Sequence, residues 1–253
     1  MAFLVCGLSF LLCLKNADAA NGASLLLVND DYPPFNSPTM AQEGLGTGIV
    51  RMALGRSGYR LKTDYYPWKR ALSMAEKAEA DGIIGAWYKK DREKYFLYSK
   101  PYMANNLKLL TRSVFLPKGF TVGLIRGYGY NAATLKRFEK RIVYVSHLAQ
   151  GIKMLEHGRV DAILEDELVL QHYLNRNISH WKRIYVLHKE VIESKPLHLM
   201  IRAGHPDGAA IIADFNQALR ELQNNGQIKS LFEQLGYEFS SFIKREGEEK
   251  AQN

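Results

Sequence analysis

The stretch Asp81–Tyr102, DGIIGAWYKKDREKYFLYSKPY, decides the reading of the whole chain. Ile83, Ile84 and Gly85 are apolar or small enough for a buried strand, whereas Lys89-Lys90-Asp91-Arg92-Glu93-Lys94 must meet water or line a polar cleft. A strand whose C-terminal end carries an arginine into a cleft is a common way for an α/β sheet to hold an anion. The guanidinium of Arg92 offers a planar fork of donors that fits a carboxylate bidentately. Taken alone, the same run also describes a solvated turn in which Arg92 is one charge among several.

Working outward, strands and helices alternate. Leu25–Val28 reads as a short buried strand, and Asn29-Asp30-Asp31-Tyr32-Pro33-Pro34-Phe35 as the loop leaving it. Gly44–Gly48 reads as a flexible turn, Tyr59–Tyr65 as a strand, and Trp68–Ala80 as a helix with Pro67 at its start. After Leu107–Thr111, the break at Pro117-Lys118-Gly119 opens a second αβ series. Its first strand is Thr121–Ile125, followed by a turn at Gly127–Tyr130 and a helix capped by Asn131. Val143–Val145 is a strand, Ser146 is expected to cap the helix His147–His157, and Gly158 stops it. The strand ending in Ile163-Leu164-Glu165-Asp166 delivers two carboxylates, Asp166 also being placed to cap the segment Glu167–Asn175. Leu197–Ile201 follows Lys195-Pro196 as a strand. Two amphipathic helices, Asp207–Asn225 and Gln227–Leu235, are separated by Gly226, with Ala213, Phe215, Leu219 and Leu222 on an apolar face.

Several of these segments carry one resemblance. Asp81-x-Ile83-Ile84-Gly85, then Asp91-Arg92-Glu93, then Ser99-x-Pro101-Tyr102 is similar to the pattern of the bacterial extracellular solute-binding proteins of family 3, the receptors of polar amino-acid uptake systems. The resemblance covers about Leu25 to Tyr237. It implies an α/β, two-lobed, type II periplasmic binding protein fold with the ligand between the lobes. It also implies residue roles: Arg92 on the ligand carboxylate, Tyr32 and Trp68 as a sandwich around the ligand, the backbone of Gly127 and Tyr128 touching it from the second lobe, and Asp166 on its amino group. Phe35 is expected in the core. Arg70 belongs to a Trp-x-Arg pattern in one branch of the family. Where the family has small hydroxyl residues, this chain has Ala86, Trp87, Tyr88 and Lys89. Trp87 therefore joins the site, and the expected ligand is flatter or more anionic than serine or glutamine, an aromatic amino acid or a dicarboxylate.

Composition bounds the alternatives. At 253 residues with 47% apolar and 11% aromatic content, the chain can bury a sizeable core in one large or two small domains. The net charge of +8 and pI of about 9.3 come from lysines and arginines spread along the chain, a solvated surface rather than a nucleic-acid interface. Ala2–Leu14 is too short an apolar run to span a bilayer, and Ala17-x-Ala19 supplies a leader-peptidase pattern, so residues 1–19 are expected to be a signal peptide cut before Ala20. Both cysteines, Cys6 and Cys13, fall in it, which leaves no disulfide for the exported protein. The seven histidines show no metal-ligand spacing, and no nucleophile elbow or phosphate-binding loop is present, so neither metal, cofactor nor catalysis is expected.

The expected organisation is lobe one from residues 20–113 plus 197–243, lobe two from 114–196, and a charged tail at 244–253. The expected function is a monomeric periplasmic protein that captures an amino acid-like solute and presents it to an inner-membrane permease. A sensory protein acting on a membrane receptor and a dehydratase of a cyclic amino-acid precursor are the alternatives.

Overall fold

The computed structural model describes residues 22–239. The expected leader with its two cysteines and the charged tail lie outside the described residues. The chain forms a mixed α/β structure around a ten-stranded sheet.

In the first lobe, β1 (Ser24–Asn29) pairs in parallel with β2 (Arg60–Tyr65) on one side and β3 (Gly82–Trp87) on the other. Helix α1 (Leu45–Arg56) connects β1 to β2, and α2 (Trp68–Glu76) connects β2 to β3. The glycine-rich run expected as a flexible turn is instead the start of α1. Gly44 takes φ 94° at its N-cap, and Leu45, Gly46, Thr47 and Gly48 are all buried. An added Cβ at Gly44 would strike the carbonyls of Pro34 and Phe35, and one at Gly46 the Asn36 side chain and the Phe35 carbonyl, so glycine here lets the helix start press against the first loop. Helix α2 ends at Glu76 rather than Ala80, its last turn closing where Ala78 adopts φ 61°.

In the second lobe, β6 (Val122–Ile125), β7 (Ile142–Val145) and β8 (Ala162–Asp166) are parallel. They are linked by α3 (Ala132–Phe138) and α4 (Leu148–Glu156), and α5 (Glu167–Asn177) follows β8. Asn131 caps α3 by accepting the Thr134 N–H at 2.7 Å. Helix α4 is capped one residue later than expected. His147 Nδ1 accepts the Gln150 N–H at 3.2 Å, while the Ser146 backbone N–H and hydroxyl are taken by the Gln150 side chain.

Two long antiparallel strands join the lobes. In β5 (Met103–Thr111), residues Met103–Leu107 pair with β10 (Glu193–Arg202), and Leu107–Thr111 pair with β8 of the second lobe. The first crossing thus lies inside β5, while the sequence expectation set it at Ser113/Val114. Strand β10 returns through Glu193–Leu197 beside β5 and continues beside β3 and β4 (Phe96–Tyr98). Lys195-Pro196, expected as a break, is in mid-strand. The missing N–H is tolerated because Pro196 falls where β10 has β5 on one side only, the β3 pairing beginning at Leu197. A further short strand, β9 (Val186–Leu187), pairs with β5.

The chain ends with α6 (Gly208–Asn224) and α7 (Gln227–Gln234), which pack on α1 of the first lobe. Phe215, Leu219 and Leu222 are buried there with Ile211 and Ala218, but Ala213 is exposed and does not belong to the face. The largest cluster of buried apolar residues joins α1, α6 and α7 to Leu168 and Val169 at the start of α5, so one core reaches from the first lobe to the second.

Candidate functional site

Strands β1 and β3 are parallel neighbours, so the loops leaving Asn29 and Trp87 emerge on the same edge of the first lobe. Strands β6 and β8 do the same for Ile125 and Asp166 in the second. Such C-terminal edges are where open α/β sheets receive ligands, and the described residues meet across the cleft there.

The Tyr32 hydroxyl donates to Glu165 Oε1 at 3.1 Å, crossing from the first lobe to the second. The Tyr32 ring stacks on Phe35 at 5.6 Å between centroids, and Phe35 is core as expected. On its other side Tyr32 meets Tyr128 edge-on at 6.3 Å, and Tyr128 meets Trp87 edge-on at 6.1 Å. Three aromatics singled out in the sequence therefore converge in one place. Trp87 is aimed by an irregularity in β3. Between the pairs His198↔Ala86 and Met200↔Ile83 the register slips by one residue, and Gly85 adopts φ 79° within the slip. A bulge of this kind bends its strand and re-aims the residues after it. The Trp87 indole N–H donates to Asn105 Oδ1 at 2.8 Å in β5, and the Lys195 ammonium lies 5.2 Å from the indole centroid. Lys195 is also paired with the buried Glu193 at 2.6 Å, whose carboxylate accepts the Asn131 N–H at the head of α3.

The two carboxylates at the end of β8 have different duties. Asp166 is fully buried and spends its oxygens on backbone: Oδ1 accepts the Leu168 and Val169 N–H groups at 2.8 and 3.1 Å, and Oδ2 accepts the Asn106 N–H at 2.8 Å. Glu165 is equally buried, but only Oε1 is satisfied, by Tyr32 and by the Asp166 N–H at 2.7 Å, while Oε2 has no hydrogen-bond partner. Burial pushes both carboxyls up, Glu165 to about 8 and Asp166 to about 7. Within the pair the charge belongs to Asp166, which three amides and a helix N-terminus stabilise, and the proton to Glu165. Burial likewise raises Asp30, at the head of the first loop, to about 6, and lifts the Tyr32 hydroxyl well above its usual range, with Glu165 adding to the effect.

The remaining expected residues have other contacts. Arg92 sits in a 3-10 turn after β3 with its guanidinium 5.5 Å from the Trp68 ring centroid, and among the described residues it makes no ion pair. Trp68 packs with the core cluster around Ala71 and Ile83 rather than against Tyr32. Arg70 is exposed and lies over Tyr66 at 4.6 Å. Gly127 is exposed with φ 87°, forming the turn that presents Tyr128. Tyr88 points to solvent and donates to Glu93 at 2.7 Å.

Glu165, Asn105 and Lys195 were not singled out from the sequence. An Asp immediately before a helix is a cap, which leaves the preceding Glu165 as the last strand residue with a free side chain. Asn105-Asn106 inside the mostly apolar strand Met103–Thr111 is a buried polar pair, the more informative kind of exception. Among the described residues no metal-binding cluster occurs and no helix is long and apolar enough to cross a membrane.

Comparison with known proteins matches this geometry to a family. The profile of "Bacterial extracellular solute-binding proteins, family 3" matches residues 25–236. The chain is 21% identical to a probable histidine-binding protein of Neisseria gonorrhoeae, over 85% of this chain and 84% of that protein. It is 22% identical to the L-cystine-binding protein TcyA of Bacillus subtilis, over 79% of this chain and 76% of that one. The crystal structure of an arginine transport system periplasmic binding protein from Legionella pneumophila superposes with a TM-score of 0.67 at 19% identity, covering 84% of this chain and 99% of that one, and shares the two-lobed type II fold. The dehydratase alternative finds no support among these relatives. The chain belongs to the bacterial extracellular solute-binding proteins of family 3, which are binding proteins rather than enzymes.

Proposed function

We propose that this protein captures an amino acid-like zwitterion between its two lobes and presents it to an inner-membrane permease after export to the periplasm as a monomer. The observation that carries the reading is the convergence of Tyr32, Trp87, Tyr128 and Glu165 from both lobes onto one cleft at the C-terminal edges of the parallel strands. The relatives are named as a probable histidine-binding protein and an L-cystine-binding protein, which favours an amino acid over other solutes. Arg92, in the turn that follows β3, makes no ion pair among the described residues, and its role in this reading is to receive the ligand carboxylate. The aromatic walls favour a ligand with a flat or apolar face, worth about 0.5–1.5 kcal/mol beyond its area when a ring stacks well. Closure around such a ligand removes water from its charges and strengthens their contacts.

The test is a thermal-shift panel of amino acids, organic acids and amines on protein refolded to strip carried-over ligand, followed by calorimetric titration of the hits. An amino acid with an aromatic or imidazole side chain is expected to raise the melting temperature and bind in the micromolar range or tighter. Binding confined to organic acids or amines, with no amino acid among the hits, would overturn the proposal. Membranes holding the cognate permease decide the partner: uptake dependent on this protein supports transport, and signalling without uptake supports a sensory role.

A further inference from the structure

We infer that the end of the second lobe remote from the cleft is a membrane-contact surface, an apolar tip at Val114-Phe115 flanked by Arg112, Lys118, Lys182 and Arg183 that fits a bilayer of anionic phospholipid. Strand β5 leaves the sheet at Thr111, and β9 enters beside it, Val186 opposite Thr111. The chain just after Thr111 and the chain just before Val186 therefore lie side by side. Thr111 Oγ1 donates to the Ser113 carbonyl at 2.6 Å, and both segments reach the end of α4: Arg112 Nη1 donates to the Glu156 carbonyl and the Tyr185 hydroxyl to the Glu156 carboxylate, each at 2.9 Å. On this edge Val114 is 65%, Phe115 87% and Ile184 42% exposed, and no large apolar side chain among the described residues is more exposed than Phe115. Leu116 and Phe120 turn the other way and pack on the buried cluster that holds Phe138, so the tip stands on an anchored base. Strand β8 starts at this edge, with Ala162 opposite Thr111, and reaches the cleft only at Asp166.

The charges select the occupant. Residues 112–120 and 180–189 hold Arg112, Lys118, Lys182, Arg183 and Lys189 and no aspartate or glutamate. All five cations are exposed, and among the described residues none of them forms an ion pair. Glu156 and Asp161 reach the same edge, but the first accepts from Tyr185 and the second from the Thr121 N–H and hydroxyl at 2.7 and 2.8 Å. Single exposed apolar residues are ordinary, whereas adjacent ones in a cationic setting are what surface-seeking proteins present to lipid. A second copy of the chain would set these like charges against one another, and a protein partner would need a pocket shaped to a projecting tip; a bilayer yields around it. Each cation close to an anionic bilayer strengthens association about fivefold, and burying the phenylalanine side chain adds about tenfold or more. Because tip and cleft lie at opposite ends of β8, the protein can take up or release solute while it rests on the membrane.

The experiment is co-sedimentation of the purified protein with vesicles of phosphatidylcholine alone and of phosphatidylcholine mixed with phosphatidylglycerol, without solute. The parent should pellet with the mixed vesicles and not with the neutral ones, and added salt should release it. Phe115→Asp should weaken binding about tenfold or more, and Lys182→Glu combined with Arg183→Glu about twentyfold or more. These side chains are exposed, so both variants should keep the parent's melting temperature, which separates lost binding from lost folding. In Phe115→Trp, brominated lipid should quench emission beyond any quenching of the parent's own tryptophans. Failure to pellet, equal pelleting with both kinds of vesicle, or binding that Phe115→Asp leaves unchanged would each overturn the inference. So would a parent that dimerises in sedimentation velocity and becomes monomeric on Phe115→Asp, which would make the tip a self-contact. No readout here uses a solute, so failure of this inference leaves the solute-binding reading standing, and failure of that reading leaves this one.

Discussion

Replacing Glu165 by Gln should change how the stability of the unliganded protein depends on pH. The Glu165 carboxyl has an ordinary value of 4.5 in the open chain and about 8 in the fold. A carboxyl raised on folding makes the folded state the stronger proton binder between those two values. Its contribution is therefore most favourable below the open-chain value and is lost as pH rises toward the folded one. Each pKa unit corresponds to about 1.36 kcal/mol, so between about pH 6 and pH 8 this one group should remove about 2 kcal/mol from the parent. For a chain of this size that is a fall of about 4–8 °C in melting temperature. Glutamine keeps the Oε1 acceptor for Tyr32 and the Asp166 N–H but cannot ionise, so Glu165→Gln should lack this part of the slope, and the Asp166 contribution largely cancels in the comparison. The assay is thermal or urea unfolding of both proteins across that range without ligand. Parallel curves for parent and variant would refute the account of a buried, half-satisfied Glu165.

Three further outcomes follow from other parts of the molecule. Phe215→Ala should cost about 3–5 kcal/mol in urea unfolding, since Phe215 is fully buried beneath α1 and meets Tyr102 edge-on at 6.1 Å; a loss under about 1 kcal/mol would show that this helix face is not core. Gly85→Ala should destabilise by about 1–3 kcal/mol, because φ is 79° and the new Cβ would lie 2.8 Å from Asn36 Nδ2; it should also weaken ligand binding by displacing Trp87, and a neutral result on both counts would contradict the bulge. Arg92→Ala should lower affinity for a carboxylate-bearing ligand by about tenfold or more while leaving the melting temperature of the free protein within about 2 °C, an unchanged affinity excluding Arg92 as the carboxylate receiver.

The fold was legible because its signals are local and repeated. Apolar runs such as Leu25–Val28 and Val122–Ile125 end in turn residues, and Asn131 and Gly226 mark helix ends where the chain turns. What sequence periodicity could not supply was the length of the two connecting strands. In β5 the polar pair Asn105-Asn106 interrupts the apolar pattern, and in β10 the proline suggests an end. Both are explained only by which neighbour lies on which side of the strand, and that is a property of the assembled sheet. The aromatic part of the site was readable, since Tyr32, Trp87 and Tyr128 stand at or within three residues of the C-terminal ends of parallel strands. Which of Glu165 and Asp166 accepts the helix amides is a matter of hydrogen bonds that residue type alone leaves open.

The connection through β5 and β10 has a mechanical consequence. Five residue pairs, Glu193↔Leu107 through Leu197↔Met103, join β5 to β10 where the chain passes between the lobes. A short ribbon of two strands resists stretching and shear but yields readily to twist and bend. The lobes therefore have few inexpensive relative motions, and each carries Trp87 and Tyr128 toward or away from one another. A membrane partner touching only the outer faces could sense occupancy through the angle between the lobes, without reaching the ligand itself.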